Sequence, residues 1–214
     1  MWQYEKKLQF PVNIKNRNPK YAQIIISQYG GPDGEINASI RYLSQRFTMP
    51  DRKLAGLLTD IGTEELSHLE MVSTMVHQLT ANLSMEEIEK SGFGPYYIDH
   101  TVGVWAQAAG GVPMNSCQHQ SKGDAITDLF EDLAAEQKAR STYDNILRVV
   151  KDMPEIAEPI KFLRAREIVH FQRFGEALEI LQDSLDSRNF YAFNSVFDQP
   201  AMCTCDDCKK IDFF

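Results

Sequence analysis

Residues 54–79 read LAGLLTDIGTEELSHLEMVSTMVHQL, and this stretch decides the fold. Its apolar residues are spaced alternately four and three residues apart, which is typical of one seam of a long amphipathic helix. Glu65 and His68 occupy two positions of that seam. The stretch therefore predicts a helix, from around Pro50 to about Asn82, that turns a carboxylate and an imidazole toward the core.

Residues 156–181 repeat the same register near the end of the chain. Glu167 and His170 again stand where the spacing asks for apolar residues, so both stretches carry the motif Glu-x-x-His. Two prolines lie near the beginning of the second stretch. Since proline is welcome only at a helix N-terminus, we expect the secure part of this helix from about Glu158 onward.

A further glutamate lies about 30 residues upstream of each motif. Glu35 follows a glycine-rich break and belongs to a helix predicted from about Pro32. Glu136 lies on the apolar seam of a helix that is predicted to begin after Asp124 and to reach Val150. The chain therefore repeats one half-site, a glutamate followed by Glu-x-x-His, and offers enough ligands for two metal ions.

The four predicted helices are joined by connections of unequal length. Those near Thr48 and Asp152 are short and imply antiparallel neighbours, whereas about 40 residues, Leu83 to Lys122, separate the second helix from the third. A connection of that length fits a crossover that runs the length of a bundle. We predict an all-α, antiparallel four-helix bundle with one long crossover between helices 2 and 3. Residues 1–182 would form this domain and its N-terminal arm, and residues 183–214 an irregular tail.

The polar residues on the core seams require a common explanation. A buried carboxylate without a partner is costly, so in practice it protonates or acquires a cation. A single Glu-x-x-His is usually a solvated pair or a helix salt bridge, but two in identical register favour a dinuclear metal centre of the kind found in carboxylate-bridged helix bundles. Oxygen-rich sites with one imidazole per metal suit manganese or iron, and the residues alone leave that choice open.

Two tyrosines repeat the same internal symmetry. Tyr42 lies seven residues after Glu35, and Tyr143 lies seven residues after Glu136. Seven residues make two helical turns, so each tyrosine is predicted to point the same way as its own glutamate. Each is either a hydrogen-bond partner of a ligand carboxylate or a core tyrosine with a satisfied hydroxyl. Arg140, on the same seam, either compensates carboxylate charge or forms a plain ion pair.

The other histidines and the cysteines are weaker candidates. His77 falls between seam positions and is predicted at the surface, whereas His100 and His119 lie in the crossover without an assigned place. The tail carries a cluster, Cys203-x-Cys205-x-x-Cys208. Three cysteines are an incomplete zinc or copper site, and a crosslink between chains or free surface thiols fits them equally well.

The amino-acid composition indicates the broad class of protein. The chain has 214 residues, 43% of them hydrophobic and 24% charged, as in an ordinary globular protein. Its net charge of −8 argues against nucleic acid or an anionic membrane as a partner, because both require basic patches. No signal peptide and no membrane span are expected, so a cytoplasmic location or a reducing compartment is the default.

Several motifs follow one another at separations that match a known family, over roughly residues 1–182. They are Leu8-Gln9-Phe10, Gly30-Gly31-x-x-Gly34-Glu35, Tyr42-Leu43-Ser44-Gln45, Gly62-Thr63-Glu64-Glu65-x-x-His68-x-Glu70-Met71 and Arg166-Glu167-x-x-His170. With these motifs the sequence resembles the manganese catalases, and among them the short forms associated with bacterial spore coats.

The resemblance implies a ferritin-like four-helix bundle, assembled as a homo-oligomer, usually a hexamer. It implies two manganese ions per chain, with Glu65 bridging them. Glu167 would stand just outside the ligands and move protons, and Tyr42 would hydrogen-bond a ligand. The metal ligands implied are Glu35, Glu65, His68, Glu136 and His170.

Two departures accompany the resemblance. Longer family members can carry an arginine immediately before the third-helix glutamate, where this chain has Ala135, and the long C-terminal extension is replaced by the cysteine-bearing tail. The expected function is a dimanganese catalase that converts hydrogen peroxide to water and dioxygen. The alternatives are a di-iron ferritin-like oxidase or ferroxidase, and a structural spore-coat protein, with other coat proteins as partners, whose metal site is incidental.

Overall fold

The computed structural model describes residues 3–96 and 103–185, so His100 and the tail cysteines lie outside the described residues. The described helices, in chain order, are α1 (Pro19–Ile25), α2 (Ser27–Gly30), α3 (Glu35–Gln45), α4 (Arg52–Thr80), α5 (Met85–Ser91), α6 (Ala125–Val150) and α7 (Pro154–Asp183). Short 3-10 turns occupy Arg46–Thr48, Gly94–Tyr96 and Ser116–His119.

Four of these helices form the bundle. α3 packs along α4 and α6 packs along α7, while α3 also contacts α6 and α4 contacts α7. The members of each pair are joined by a short connection and run antiparallel. The long connection between α4 and α6 carries the short helix α5 and an isolated antiparallel bridge between Gln107 and Pro113. The predicted all-α four-helix bundle with one long crossover is confirmed.

The start of α7, which the two prolines left ambiguous, lies at Pro154. The part from Glu158 onward is helical as predicted, and Pro159 lies inside the helix as a buried residue. Pro154 occupies the first helical position, where a backbone N–H would have no helical partner. Pro159 gives up one helical hydrogen bond, and its ring is packed into the core instead. The first bundle helix also starts slightly late, at Glu35 rather than Pro32.

The crossover is held against the bundle at one glycine. A Cβ atom built on Gly30 would lie 2.3 Å from the backbone nitrogen of Gln107, closer than any side chain permits. Gln107 is buried, and its side-chain amide donates to the carbonyl of Tyr96 at 2.9 Å. Gly30 therefore lets the crossover backbone lie directly on the break between α2 and α3, just before Glu35.

The apolar core is divided into two clusters with a polar layer between them. Along α4, the residues before Glu65 belong to one cluster and those after His68 to the other; along α7 the order is reversed. The first cluster includes Leu54, Leu58, Ile61, Leu129 and Phe174, and the second includes Met71, Val72, Met75, Ile160 and Leu163. The two Glu-x-x-His motifs are thus placed in one layer, sealed by hydrocarbon above and below.

Among the described helices, none has the combination of length and apolar composition that is needed to cross a membrane.

Candidate metal centre

The polar layer contains every side chain that the sequence predicted as a ligand. α3 contributes Glu35 and α6 contributes Glu136, while α4 and α7 contribute one Glu-x-x-His motif each. All of these side chains are buried, with at most 2% of any residue exposed. Their helices hold them in place because residues i and i+3 lie on the same face.

Glu65 lies at the middle of the layer, between the two histidines. Its Oε2 atom is 2.7 Å from Nδ1 of His68, and its Oε1 atom is 2.7 Å from Nδ1 of His170. The two imidazole rings are nearly parallel, with their centroids 5.5 Å apart. One carboxylate therefore faces both imidazoles, and each of its oxygens belongs to one side of the centre.

The other two glutamates complete the two sides. Glu35 Oε2 lies 3.7 Å from Nδ1 of His68, and Glu136 Oε2 lies 3.6 Å from Nδ1 of His170. Each half therefore contains a glutamate from α3 or α6, a histidine from α4 or α7, and one oxygen of Glu65. The halves are related by an approximate two-fold repeat, as the duplicated sequence pattern predicts.

The tyrosines cross from one half to the other. The hydroxyl of Tyr42 donates to Oε1 of Glu136 at 2.5 Å, and the hydroxyl of Tyr143 donates to Oε1 of Glu35. Each tyrosine is buried like its own glutamate, as the spacing predicts, and of the two alternatives the structure shows the hydrogen bond to a predicted ligand carboxylate. That carboxylate belongs to the other helix of the pair. Two turns separate the two residues by roughly 10 Å along the axis, so the hydroxyl reaches the neighbouring antiparallel helix instead.

Several buried atoms of the layer have no hydrogen-bond partner. They are Glu65 Oε1, His68 Nε2, Glu136 Oε2, Glu167 Oε1 and His170 Nδ1. Glu65 Oε1 and His170 Nδ1 are close, yet their geometry is not that of a hydrogen bond. Ligand atoms of Glu65, His68, Glu167 and His170 all lie within 4.8 Å of one another. One pair of this group is hydrogen-bonded, His68 Nδ1 with Glu65 Oε2 at 2.7 Å. The other converging buried atoms are unpaired, which fits a bound cation.

The carboxyl groups of this layer differ in their pKa. Burial disfavours the ionised form of Glu65, but His170 and His68 outweigh burial and hold its pKa well below the ordinary value. Burial, together with the charges of Glu136 and Glu35, raises the pKa of Glu167 well above the ordinary value. Burial and the charge of Glu65 raise the pKa of Glu35 to about 8. The raised pKa values favour protonated forms of Glu35 and Glu167. A bound metal ion would instead supply the positive charge that these carboxyl groups require.

Glu64 lies beside the two histidines but was not among the residues predicted from the sequence. Its Oε2 atom accepts from Nε2 of His170 at 3.0 Å, and its Oε1 atom lies 3.7 Å from Nε2 of His68. Arg166 lies 2.8 Å from the same carboxylate through Nε, and Gln9 donates to it at 2.7 Å. Glu64 thus faces the outer nitrogen of both histidines. The signal was present, because Glu64 and His68 are four residues apart on one helix.

Glu64 is ionised in this setting. Burial works against its charge, but His170, His68 and Arg166 together hold the pKa of Glu64 well below its ordinary value. A carboxylate on the outer nitrogen keeps the proton there and leaves Nδ1 free to act as a ligand.

The remaining candidates lie away from the centre. Arg140 donates to Gln137 at 2.8 Å and to Asp144 at 2.6 Å, so the structure shows the ion pair rather than charge compensation at the centre. His77 is exposed, as predicted. His119 lies 3.0 Å from the side-chain oxygen of Asn37. Ala135 is buried beside Glu136.

Comparisons with known proteins agree with this geometry. The family model described as manganese containing catalase matches residues 1–200. Protein CotJC of Bacillus subtilis (strain 168) is 49% identical over 191 residues, which cover 89% of this chain and 100% of that protein. A probable manganese catalase of Clostridium acetobutylicum is 32% identical over 201 residues, covering 89% of this chain and 85% of that protein.

A solved structure carries the same fold. The crystal structure of wild-type KatB, a manganese catalase from Anabaena, matches with a TM-score of 0.77 and 30% sequence identity, covering 87% of this chain and 84% of that chain. The ferritin-like architecture expected from the resemblance is therefore confirmed. The family match over most of the chain, the relatives and the buried Glu/His layer lead to one conclusion: the chain belongs to the manganese-containing catalase family.

Proposed function

We propose that the protein is a dimanganese catalase, which converts two molecules of hydrogen peroxide into water and dioxygen. Membership of the family supports the activity and the metal. The observation that carries the proposal for this chain is the position of Glu65, each of whose oxygens lies 2.7 Å from a different histidine. A carboxylate so placed is suited to bridge two metal ions.

The donor set fits manganese. One ion would be held by Glu35, His68 Nδ1 and Glu65 Oε2, and the other by Glu136, His170 Nδ1 and Glu65 Oε1. These donors are oxygen-rich, contain no sulfur and include one imidazole per ion, a combination that suits manganese or iron better than zinc. The unpaired atoms of this set, such as Glu136 Oε2, support the fit. Bound manganese would supply the redox chemistry of peroxide disproportionation.

Glu167 is the group proposed to move protons. Its side chain is buried, and its Oε1 atom has no hydrogen-bond partner. Because burial and the neighbouring carboxylates raise its pKa well above the ordinary value, it holds a proton that it can release and recover at Oε1. A carboxyl group with a raised pKa beside the reacting atoms acts as a general acid and base.

Glu64, Arg166 and Gln9 would orient the two histidines. Glu64 faces Nε2 of both rings and is itself held by the other two residues. The apolar clusters on either side of the layer limit water at the centre. The chain's own contribution is therefore to bridge, to orient and to carry protons in a dry layer.

The decisive experiment measures metal content and oxygen release on the same preparation. Protein produced with both manganese and iron available should contain about two manganese ions per chain, by mass spectrometry, and release oxygen from added hydrogen peroxide. Iron-loaded protein that oxidises ferrous iron, with manganese-loaded protein inert toward peroxide, would favour the di-iron oxidase or ferroxidase instead. Inertness of both forms would leave the structural role.

A spore-coat location and a homo-oligomeric assembly complete the proposal. The resemblance to short, coat-associated forms supports the first, together with a cytoplasmic origin. Assembly, as a hexamer by the same resemblance, is supported by apolar side chains on the outer surface of the bundle, among them Phe130, Ile168, Phe171 and Ile180. Light scattering on the purified protein tests the assembly. Fractionation of spores with a tagged chain tests the location.

A further inference from the structure

α3 and α6 face one another through a series of polar pairs. Tyr143 donates to Glu35 and Tyr42 donates to Glu136, so the two helices run antiparallel through these contacts. One turn further along α3 is Gln45, and one turn back along α6 is Asp132. This third pair lies next to the metal centre, on the side of Tyr42 and Glu136.

Unlike the first two, the third pair contains no hydrogen bond of good geometry, although Gln45 lies near enough to Asp132 to oppose the rise that burial causes in the pKa of its carboxyl. Asp132 is 0% exposed and Gln45 is 2% exposed. Both carboxyl oxygens of Asp132 and both polar atoms of the Gln45 amide have no hydrogen-bond partner. Asp128, one turn earlier on α6 and equally buried, is fully satisfied, because it accepts from the backbone nitrogens of Lys122 at 2.7 Å and Gly123 at 3.1 Å. Burial on this face of α6 therefore does not by itself leave an aspartate without partners.

Arg41 adds a buried cation to the same place. It is 1% exposed, and its Nε and Nη1 atoms have no hydrogen-bond partner. Its Nη1 lies 3.7 Å from Glu131, which is partly exposed, and its Nη2 donates to the carbonyl of Gln118 at 3.3 Å. Arg41 therefore stands between the Gln45–Asp132 pair and the surface.

Six unpaired polar atoms this close together require an occupant. A buried donor or acceptor without a partner is costly, and native proteins satisfy such groups with bound water. The atoms include donors on Arg41 and Gln45 and acceptors on Gln45 and Asp132. The guanidinium disfavours a metal cation and the carboxyl group disfavours an anion. A small neutral molecule that both donates and accepts hydrogen bonds satisfies all of them.

We propose that Asp132, Gln45 and Arg41 form an internal site that holds water at rest and hydrogen peroxide during turnover, directly beside the Tyr42–Glu136 edge of the metal centre. The peroxide part of this inference rests on the proposed function, whereas the water site does not. Hydrogen peroxide carries two donors and four acceptor lone pairs, so it can replace water at the same hydrogen-bonding atoms.

A crystal structure of the manganese-loaded protein tests the site without any assay of activity. The wild-type protein should show ordered water within hydrogen-bond distance of both Asp132 and Gln45. Asp132→Leu, which fills the space with hydrocarbon, should lose it. A wild-type structure in which Asp132 bonds directly to Arg41 or Gln45, with no ordered solvent between them, would overturn the proposal.

Kinetics on the same variants test the peroxide part. Asp132→Leu and Gln45→Leu should keep both manganese ions and lower kcat/KM for hydrogen peroxide by about tenfold to a hundredfold, the loss that accompanies one or two buried hydrogen bonds. The loss should fall mainly on KM. Asp132→Asn, which still binds water, should retain most of the efficiency. Asp144→Leu is the matched control, since it removes a carboxylate of α6 that is 30% exposed at its side chain.

The outcomes separate this inference from the proposed function. Variants of both positions with full metal content and unchanged kcat/KM would refute the peroxide site. If Asp132→Leu lost its metal, Gln45→Leu would decide the question. Wild-type protein that binds manganese and releases no oxygen would refute the catalase function and the peroxide part together, and the crystal structure would still decide the water site.

Discussion

Glu65 and Glu167 occupy the same position in two copies of one motif, yet their surroundings are opposite. Each oxygen of Glu65 lies 2.7 Å from a histidine nitrogen, and the pKa of this carboxyl is held well below its ordinary value. Glu167 has an oxygen without a hydrogen-bond partner and a pKa raised well above its ordinary value. In the proposed function, the repeated motif would therefore supply two different groups, a carboxylate that bridges the metals and a carboxyl that carries protons, and the neighbouring side chains distinguish them.

The residue before each motif breaks the symmetry. Glu64 precedes the motif of α4 and Arg166 precedes the motif of α7. The two side chains meet across the bundle, with Arg166 Nη2 donating to Glu64 at 3.0 Å. Because Glu64 also faces both histidines, the ion pair ties the two otherwise equivalent motifs together on their outer side. The approximate two-fold symmetry of the centre is therefore broken at this ion pair, because one partner is an acid and the other a base.

The largest expected effect comes from removing the bridge. Glu65→Ala takes a donor from both halves of the centre at once, so neither manganese ion should be retained and oxygen release should fall to background. Metal content by mass spectrometry and oxygen release on the same sample measure this. Retention of one firmly bound ion would mean that Glu65 serves only one half.

Glu70→Ala is the matched control for this change. Glu70 belongs to the same helix but lies outside the layer, where it accepts a hydrogen bond from Tyr4 at 2.5 Å. Its replacement should leave metal content and oxygen release unchanged.

The same position in the other motif should respond differently. Glu167→Gln keeps the shape and the hydrogen-bonding capacity of the side chain but cannot take up and return a proton. We expect both manganese ions to remain and kcat to fall by roughly 10²–10⁴-fold, the contribution typical of a general acid–base group. A parallel loss of metal would make Glu167 a ligand, and undiminished turnover would remove it from the mechanism.

Glu176→Gln, an exposed substitution on the same helix, is the control for the Glu167 variant. Comparison of the two separates the loss of a buried proton carrier from the loss of one negative charge on α7.

A smaller effect is expected from the residue that joins the motifs. Glu64→Gln weakens the hold on the outer nitrogens of His68 and His170, and loss of such a partner typically costs 10- to 100-fold in metal affinity. Chelator competition on the manganese-loaded protein measures the affinity, with Glu70→Gln as the control. Unchanged affinity would show that the histidines are oriented by packing alone.

The sequence predicted the side chains of the centre because each interrupts an apolar seam. Glu65, His68 and Glu136 could be found in this way without a structure, since burial of a polar group on a core face is visible as a break in periodicity. Glu64 does not interrupt the seam, because it stands one residue before Glu65, so periodicity does not mark it. Its four-residue spacing from His68 was the available signal, and its contact with His170 depends on how α7 packs against α4. The ligand roles themselves stay predictions until metal is located.

The same distinction explains what the sequence left open in the fold. The periodicity of apolar residues predicted that each bundle helix exists. It could not predict where α7 starts, because a helix accepts a proline such as Pro159 only when core packing compensates for the lost hydrogen bond. The glutamate that each tyrosine contacts could not be predicted for a similar reason. Spacing along one helix establishes which face a residue occupies, whereas the partner is set by the register between two helices.

The smallest expected effects test the two-fold repeat itself. Tyr42→Phe and Tyr143→Phe each remove one phenolic donor from a buried glutamate, Glu136 or Glu35, and should lower the free energy of unfolding by about 1–3 kcal/mol. Since the two hydrogen bonds are equivalent in the repeat, the two losses should be similar and additive in the double variant. Chemical denaturation of the manganese-loaded protein measures them, with Tyr21→Phe, a partly buried tyrosine of α1, as the control. A loss confined to Tyr42→Phe would show that the half containing Glu136 and His170 carries more of the stability, and that the centre is asymmetric at its tyrosines as well as at its two motifs.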